Sequence, residues 1–375
     1  MRNDVIKRVV IAVTIAVSIL VLVFIGQQIA IKFFGYKTPS ISESTAVDVE
    51  KTEIELDSKT TYIHAVNDKY IYFVATDRVI VADSKGQQKA ELPVSVVNPF
   101  IKTSGDYVLV SDFGGNNLYI IKGEEIEKSI STKKPIKTAT INSSGKAVTV
   151  TEGDMHKRDV TVYDKDGKEL FVWTSGSKLV VDAAIADNDK NVVIASLETH
   201  GTVMRSVVGF YNISKKDPVA THVFDNEIIS SLNFHDNYVY CIGESKTATF
   251  TVGGDKKGEI PYKTKTLLSC ETNKNGIVMA FMETTLSDKR YNIEIYSESA
   301  EKKSEYFHDY KAEYIDASDS YIVIGREGLV SVINYDGNET QLLDPSINIK
   351  DVCFIGNEKR MVAFSSDGAY LLSIK

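Results

Sequence analysis

The stretch VTVYDKDGKELFVW, residues 160–173, contains two aspartates two positions apart, Asp164 and Asp166, followed by Gly167. Carboxylates at this spacing begin calcium-binding loops, but the same residue types also close tight turns. In a turn, Asp accepts backbone N–H groups and Gly takes a positive φ angle. A calcium loop needs further oxygen ligands and a distal glutamate, and the residues KEL that follow do not continue that pattern. The stretch therefore predicts a turn.

A second candidate group is basic and lies in three long polar hairpins, TEGDMHKRD, SLETHGTVMRSV and METTLSDKRYN. The candidate ligand-binding residues are His156, Lys157, Arg158, His200, Arg205, Lys289 and Arg290. Because these side chains interrupt an acidic chain, we expect them to bind an anionic envelope polymer or an acidic protein partner by charge attraction. The competing interpretation is that they only balance nearby carboxylates.

Catalytic and cofactor motifs are missing from the sequence. There is no GxSxG, HExxH, P-loop or GxGxxG stretch, and the six histidines form no local ligand pair. The three cysteines form no CxxC or Cys/His cluster, so we expect buried free thiols, no metal and no cofactor. Whether the chain is an enzyme stays open, because a ring-shaped fold can bring distant residues together at its channel.

Charge is unevenly distributed along the chain. The net charge is −8, but the first 37 residues carry five basic residues and one acidic residue, so the remainder is more acidic still. A domain of that charge lacks the basic surface that nucleic-acid phosphates require. We therefore expect no nucleic acid among its partners.

Residues 9–31 contain no charged residue and are long enough, as a helix, to cross a bilayer. The apolar run exceeds that of a cleaved signal peptide, and no small-residue cleavage site precedes Lys32, so it predicts an uncleaved signal anchor in the lipid bilayer. Basic residues before the run place the N-terminus in the cytoplasm. The predicted organisation is a cytoplasmic tail at 1–8, the span at 9–31, a tether at 32–45 and an extracellular domain at 46–375.

That domain consists of short apolar runs separated by turn residues. A polar turn followed by an apolar strand recurs eight times, as in NDKYIYFVA, SGDYVLVSD and HDNYVYCIG. The repeat length averages about 42 residues, which matches one four-stranded propeller blade. A second element, strand then polar turn then strand, keeps the same period and places YDKDG between the third and fourth strands of the third blade.

The strand count predicts an all-β, eight-bladed β-propeller, with seven blades as the second choice. Residues 350–375 supply only three strands, so an N-terminal strand from residues 45–58 would complete the last blade and close the ring. We expect the three long hairpins to share a face with the connections between blades. The tether would enter from the opposite, more acidic face, so the hairpins would point away from the membrane.

The organisation resembles WD40-like and quinoprotein-like propellers, although it lacks the Gly-His and Trp-Asp pairs of true WD40 repeats, and Trp173 is its one tryptophan. A single N-terminal anchor followed by such repeats also resembles a domain-of-unknown-function family of membrane-anchored propeller proteins of Gram-positive bacteria. That resemblance implies no assigned activity. The sequence favours an interaction platform at the cell envelope, and the alternative is a glycan hydrolase or lyase with its site at the channel mouth.

Overall fold

The structure of the protein, a computed structural model, describes residues 46–49, 51–57, 60–153, 158–176, 178–284, 289–312, 314–326, 328–356 and 360–373. The predicted tail, membrane span and tether lie outside these residues. In the described part of the chain, no helix is long and apolar enough to cross a membrane.

The described residues form 33 strands in eight sheets. The first two strands are β1 (Val47–Asp48) and β2 (Lys51–Ile54). Blade one contains β3 (Ile63–Val66), β4 (Tyr70–Val74), β5 (Arg78–Asp83) and β6 (Gln88–Pro93). Blade two contains β7 (Pro99–Ser104), β8 (Tyr107–Asp112), β9 (Asn117–Lys122) and β10 (Glu125–Ser131).

The next three blades repeat this order of four strands. Blade three contains β11 (Ile136–Ile141), β12 (Ala147–Glu152), β13 (Arg158–Tyr163) and β14 (Glu169–Thr174). Blade four contains β15 (Leu179–Ile185), β16 (Asn191–His200), β17 (Val203–Asn212) and β18 (Ala220–Asp225). Blade five contains β19 (Ile229–His235), β20 (Tyr238–Gly243), β21 (Lys246–Thr251) and β22 (Lys256–Pro261).

The last three blades complete the ring. Blade six contains β23 (Lys265–Asn273), β24 (Gly276–Thr284), β25 (Lys289–Tyr296) and β26 (Lys302–His308). Blade seven contains β27 (Tyr314–Ala317), β28 (Tyr321–Arg326), β29 (Leu329–Asn334) and β30 (Glu339–Asp344). Blade eight contains β31 (Ile349–Phe354), β32 (Arg360–Ser365) and β33 (Ala369–Ser373).

Ring closure comes from the N-terminal strand, as the sequence predicts. Strand β2 pairs antiparallel with β33, with Ile54 opposite Ala369, and so becomes the fourth strand of blade eight. The eight-bladed prediction is thereby confirmed. One strand is additional to the prediction: β1 pairs in parallel with β30, with Val47 opposite Leu343, and gives blade seven a fifth strand.

The core is divided among the interfaces between blades. Eight clusters of buried apolar side chains each join two neighbouring blades, including the cluster that joins blade eight to blade one through Ile54, Ile71 and Phe364. A blade therefore buries both of its faces. This explains why second strands such as β4, with its sequence YIYFV, are apolar runs rather than alternating ones.

The turns between third and fourth strands follow the predicted chemistry. The Asp164 carboxylate accepts the backbone N–H groups of Asp166 and Lys168 at 3.0 and 2.8 Å, and Gly167 has a φ of 81°. Asp83 and Gly86 form the same turn in blade one, where Asp83 accepts two backbone N–H groups at 2.8 and 3.0 Å. The YDKDG stretch is therefore a hairpin turn with a bulge, in the predicted place in blade three.

Candidate functional site

Blades four and six have elongated hairpins between their second and third strands, and in blade three residues 153–157 separate these two strands. Strands β16 and β17 have ten residues each, and β24 and β25 have nine and eight, whereas most strands have six. Each first strand runs away from the connection that joins two blades, and the second strand returns toward it. The hairpins and the connections between blades therefore share one end of the ring, which we call the hairpin face; the other end is the turn face.

In all three of these hairpins the strand register places a glutamate opposite an arginine. The strand registers pair Glu152 with Arg158, Glu198 with Arg205 and Glu283 with Arg290. Opposite charges at directly facing positions stabilise an antiparallel pair by a few tenths of a kcal/mol to about 1 kcal/mol. Each hairpin thus carries both charges at facing positions, and in blade four Glu198 and Arg205 form an ion pair.

The pair in blade four has the best-defined geometry. Arg205 donates from Nε to Glu198 Oε1 at 2.7 Å, its Nη2 lies 2.5 Å from the same oxygen, and Lys178 Nζ lies 3.2 Å from Oε2. Burial by itself would raise the pKa of Glu198, but the hydrogen bonds from Arg205 and Lys178 outweigh burial and lower the pKa. In blade three, the bond from Lys137 at 2.5 Å lowers the pKa of Glu152.

The structure divides the predicted binding residues between two sectors of the hairpin face. Arg158, His200 and Arg205 belong to adjacent blades three and four, and His200 is exposed at the end of β16. Lys289 and Arg290 are exposed at the start of β25, beyond blade five, whose corresponding turn is short. His156 and Lys157 lie outside the described residues.

The connections between blades extend the first sector. Lys133 is exposed in the connection from blade two to blade three, and Lys178 lies in the next connection. With the side chains of blades three and four they form the basic sector: Lys133, Lys137, Arg158, Lys178 and Arg205. The three lysines were not among the predicted residues, because they lie outside the hairpins.

An apolar cavity of about 550 Å³ borders the basic sector, and we call it the notch. Its lining residues come from blades one to three: Thr61, Ile63, Val74, Thr76, Val97, Asn98, Pro99, Phe100, Phe113, Lys137 and Thr138. Val97 is 74% exposed and Phe113 is 53% exposed. Lys137 Nζ lies 5.6 Å from the centre of the Phe113 ring, within the range of a cation–π contact.

The central channel uses carboxylates to join neighbouring blades. Asp182 Oδ1 accepts the N–H of Ala183 at 2.9 Å, and Oδ2 accepts the N–H of Leu232 in the next blade at 2.9 Å. Asp316 repeats this arrangement with Ala317 at 2.8 Å and with Phe354 of blade eight at 2.6 Å. We call these bonds the aspartate clasps.

A third clasp joins blade eight to blade one. Asp351 accepts the N–H of Val352 at 2.9 Å and bonds His64 Nε2 at 2.8 Å, while the His64 ring stacks on Phe364 at 3.4 Å. Register shifts in β15 and β31 come immediately before Asp182 and Asp351, so a bulge aims each carboxylate at its neighbour. The sequence signal was an aspartate inside an apolar first strand, as in VVDAAI, YIDAS and KDVCF.

The channel also contains a polar cavity of about 710 Å³, lined in part by Lys102, Asp182 and Glu271. Burial raises the pKa of Asp182 to about 6. Burial and, to a smaller extent, the charges of Asp316 and Asp351 raise the pKa of Glu271 to about 8. Glu271 therefore takes up a proton at a pH where most glutamates are ionised.

In the described residues, no group of three His, Cys, Asp or Glu side chains could hold a metal ion. The three cysteines are free thiols: Cys241 is buried, as predicted, and Cys270 and Cys353 are only partly buried. Burial raises the pKa of Cys241 and Cys270, the latter to about 12, and so keeps these two thiols protonated.

A closed ring of eight blades around a polar channel defines the class of protein as a β-propeller. The chain belongs to DUF5711, a family of unknown function whose family model matches residues 42–371. No curated protein sequence matches it. The predicted membership of a propeller family without an assigned function is confirmed.

Solved structures similar to this chain are also propellers. One is BamB from Moraxella catarrhalis, with a TM-score of 0.53 and 14% identity, covering 88% of this chain and 100% of that chain. Another is the C-terminal WD40 domain of Sif2, with a TM-score of 0.60 and 12% identity over the same shares of both chains. At these identities the likeness shows the fold alone.

Proposed function

We propose that this protein is an interaction platform, held at the outer surface of the cell membrane by residues 9–31 and binding an envelope partner through its hairpin face. The observation that carries the proposal is the repeated Glu–Arg pairing in the hairpins of blades three, four and six, Glu152 with Arg158, Glu198 with Arg205 and Glu283 with Arg290. In blade four the ion pair holds Glu198 and Arg205 in place, so these side chains lose little conformational entropy when a partner binds.

The partner class follows from the charge of the described side chains. In the basic sector, Lys137 and Arg205 contact carboxylates of their own blades, whereas Lys133 is exposed in a connection between blades. A surface of this kind attracts an acidic protein or an anionic wall polymer and aligns it through the pair of Glu198 and Arg205. The attraction should weaken as salt is added.

The test is crosslinking in intact cells, followed by affinity capture of the full-length protein. The variant Arg158→Glu, Lys289→Glu, Arg290→Glu reverses charge on the hairpin face. A matched control, Lys165→Glu, Lys168→Glu, Lys215→Glu, reverses exposed charges in the turns of blades three and four on the turn face. We expect the hairpin variant to lose a recurrent envelope partner that the control keeps. Equal capture by both variants would contradict the proposal.

Location is tested separately with protease. The proposal places the propeller outside the cell, so protease added to intact cells should digest it, while a cytoplasmic marker protein survives. A propeller that is digested only after the cells are lysed would refute the external location.

A second candidate function, a glycan hydrolase or lyase, is favoured by the channel cavity. Glu271 has a raised pKa of about 8, so it holds a proton that a general acid could transfer, and Asp182 and Lys102 line the same cavity. Envelope glycan fragments are the substrates to screen. Activity that Glu271→Gln abolishes, and that the hairpin variant leaves unchanged, would establish this function instead.

A further inference from the structure

The notch has the properties of a preformed anchor pocket. Val97 is the most exposed large apolar side chain in the described residues, Phe113 is more than half exposed, and both line the notch. Its floor is also apolar, with Ile63, Val74 and Phe100. Exposed apolar side chains beside a concave apolar cavity mark binding surfaces, because the apolar atoms gain free energy when a partner removes them from water.

Backbone hydrogen bonds hold the notch open. The N–H groups of Val97 and Asn98 both donate to Asp112 Oδ1, at 3.0 and 2.8 Å. The N–H of Phe113 donates to the carbonyl of Asn98 at 2.9 Å, and that of Gly114 donates to the carbonyl of Ile136 at 2.8 Å. These bonds fix the backbone at Val97, in the connection between blades one and two, and at Phe113, in the hairpin of blade two, so a ligand does not have to order these segments.

Positive charge is in excess on one side of the notch, because the five side chains of the basic sector outnumber the two glutamates they contact, Glu152 and Glu198. On the side of blade three the wall is Lys137, and Lys133, Arg158 and Lys178 lie beyond it on blade three and its two connections. On the side of blade one, Asp77 lies 3.3 Å from Arg78 Nε, so an acidic group is already present there. A partner segment that extends from the notch toward blades three and four therefore lies beside positively charged side chains.

From the apolar cavity and the excess of positive charge on one side of it we infer that the notch receives a large apolar side chain of an acidic segment in a protein partner, whose carboxylates then lie along the basic sector. The inference rests on the proposed function and deepens it. The occupant is a protein rather than an anionic wall polymer. Such a polymer complements the basic sector but has no large apolar side chain for the notch.

Short random peptides displayed on phage, selected on the full-length protein in detergent, provide the probe. The test variant is Val97→Ser, Phe113→Ser. The matched control is Val172→Ser, Val223→Ser, which removes two exposed valines from the outer strands β14 and β18. Because all four positions are exposed, both variants should unfold at nearly the wild-type temperature, which thermal unfolding checks.

We expect the selected peptides to carry a Phe, Leu, Ile or Trp beside a run of Asp and Glu. The test variant should weaken their binding about tenfold or more, the effect of losing an anchor contact, while the control changes it little. Added salt should weaken binding to the wild-type protein. Failure to enrich peptides, peptides without this pattern, or equal binding to both variants would overturn the inference.

Capture from intact cells separates this inference from the proposed function. If the hairpin-face charge variant loses its partner while the notch variant keeps it, the platform stands and the notch inference fails. If neither variant loses a partner, both fail. Loss of the same protein from both variants, together with the peptide pattern, supports both.

Discussion

The central channel and the hairpin face both pair acidic side chains, but with partners of different kinds. In the channel, Asp182 and Asp316 bond backbone N–H groups of the next blade. On the hairpin face, Glu198 bonds Arg205, which lies in the same hairpin. A channel carboxylate therefore bonds the backbone of the next blade, whereas Glu198 pairs with basic side chains of its own hairpin and of the connection before its blade.

The carboxylates of the two regions also differ in the direction in which folding shifts their pKa. Burial raises the pKa of the channel groups Asp182, Asp316 and Glu271, so their charged forms are disfavoured in the folded protein. At the hairpin, hydrogen bonds outweigh burial and lower the pKa of Glu198. The same residue types are thus structural elements in one region and parts of an interaction surface in the other.

Removing an aspartate clasp should have the largest effect on stability. Asp316→Ala leaves the N–H groups of Ala317 and Phe354 without their acceptor, which should lower the free energy of unfolding by about 3 kcal/mol. Urea unfolding measures this change. Glu198→Ala is the matched hairpin variant and should cost no more than about 1 kcal/mol. Equal losses would remove the distinction between the two regions.

The two regions should also give opposite pH dependences. Glu271 has a folded pKa of about 8, above its unfolded value, so its stabilising contribution is full below about pH 4 and is lost as the pH rises to about 8. The folded pKa of Glu198 is lowered, so its contribution is present above its unfolded pKa and is lost as the pH falls through the folded value.

Urea unfolding of Glu271→Gln and Glu198→Gln as a function of pH checks these signs. Glu271→Gln should raise the free energy of unfolding above pH 8 by on the order of 2 kcal/mol. Between pH 5 and pH 8, the free energy of unfolding should fall less steeply with pH in this variant than in the wild-type protein. Glu198→Gln should lower it slightly at neutral pH and change little in strong acid. The same sign for both variants at pH 8 would contradict the comparison.

Hairpin arginines should affect stability less than the channel carboxylates do. Arg205→Ala breaks a partly exposed pair with Glu198, and the expected loss is roughly 0.5–1 kcal/mol, decreasing as salt screens the pair. Unfolding at low and high salt measures it. A loss that is larger and independent of salt would mean that the pair supports the fold rather than the surface.

The smallest stability effect should come from the notch. Phe113→Ser removes a ring that is 53% exposed, so the free energy of unfolding should stay within about 0.5 kcal/mol of the wild-type value. Thermal unfolding checks this expectation. A drop of several degrees would show that Phe113 packs for stability, and the notch would lose its role as a preformed anchor.

Most of the architecture was predictable because each blade repeats one local pattern. Turn chemistry at Asp164 and Gly167, apolar second strands and the repeat length together specified eight blades and closure by β2. The extra pairing of β1 with β30 was not predicted, since a two-residue strand has no periodicity to detect.

The candidate site was less accessible to sequence reasoning. The hairpins around Arg158, Arg205 and Arg290 were recognisable in the sequence from their length. The glutamates that face these arginines correspond to the competing interpretation, in which the basic residues balance nearby carboxylates. The notch was not visible, because its lining comes from three blades and single apolar residues such as Val97 and Phe113 carry no signal of exposure.

By itself, the sequence determined what is local: turn types, strand order, the number of blades and the acidic balance of the chain. These properties depend on neighbours within one repeat, and the spacing of residues encodes them. Tertiary structure alone decided which carboxylates join blades and that Glu271 is buried among like charges. It also decided that Val97, Phe113 and Lys137 line one cavity. Each of these arises between blades, where burial and distance depend on how the ring closes.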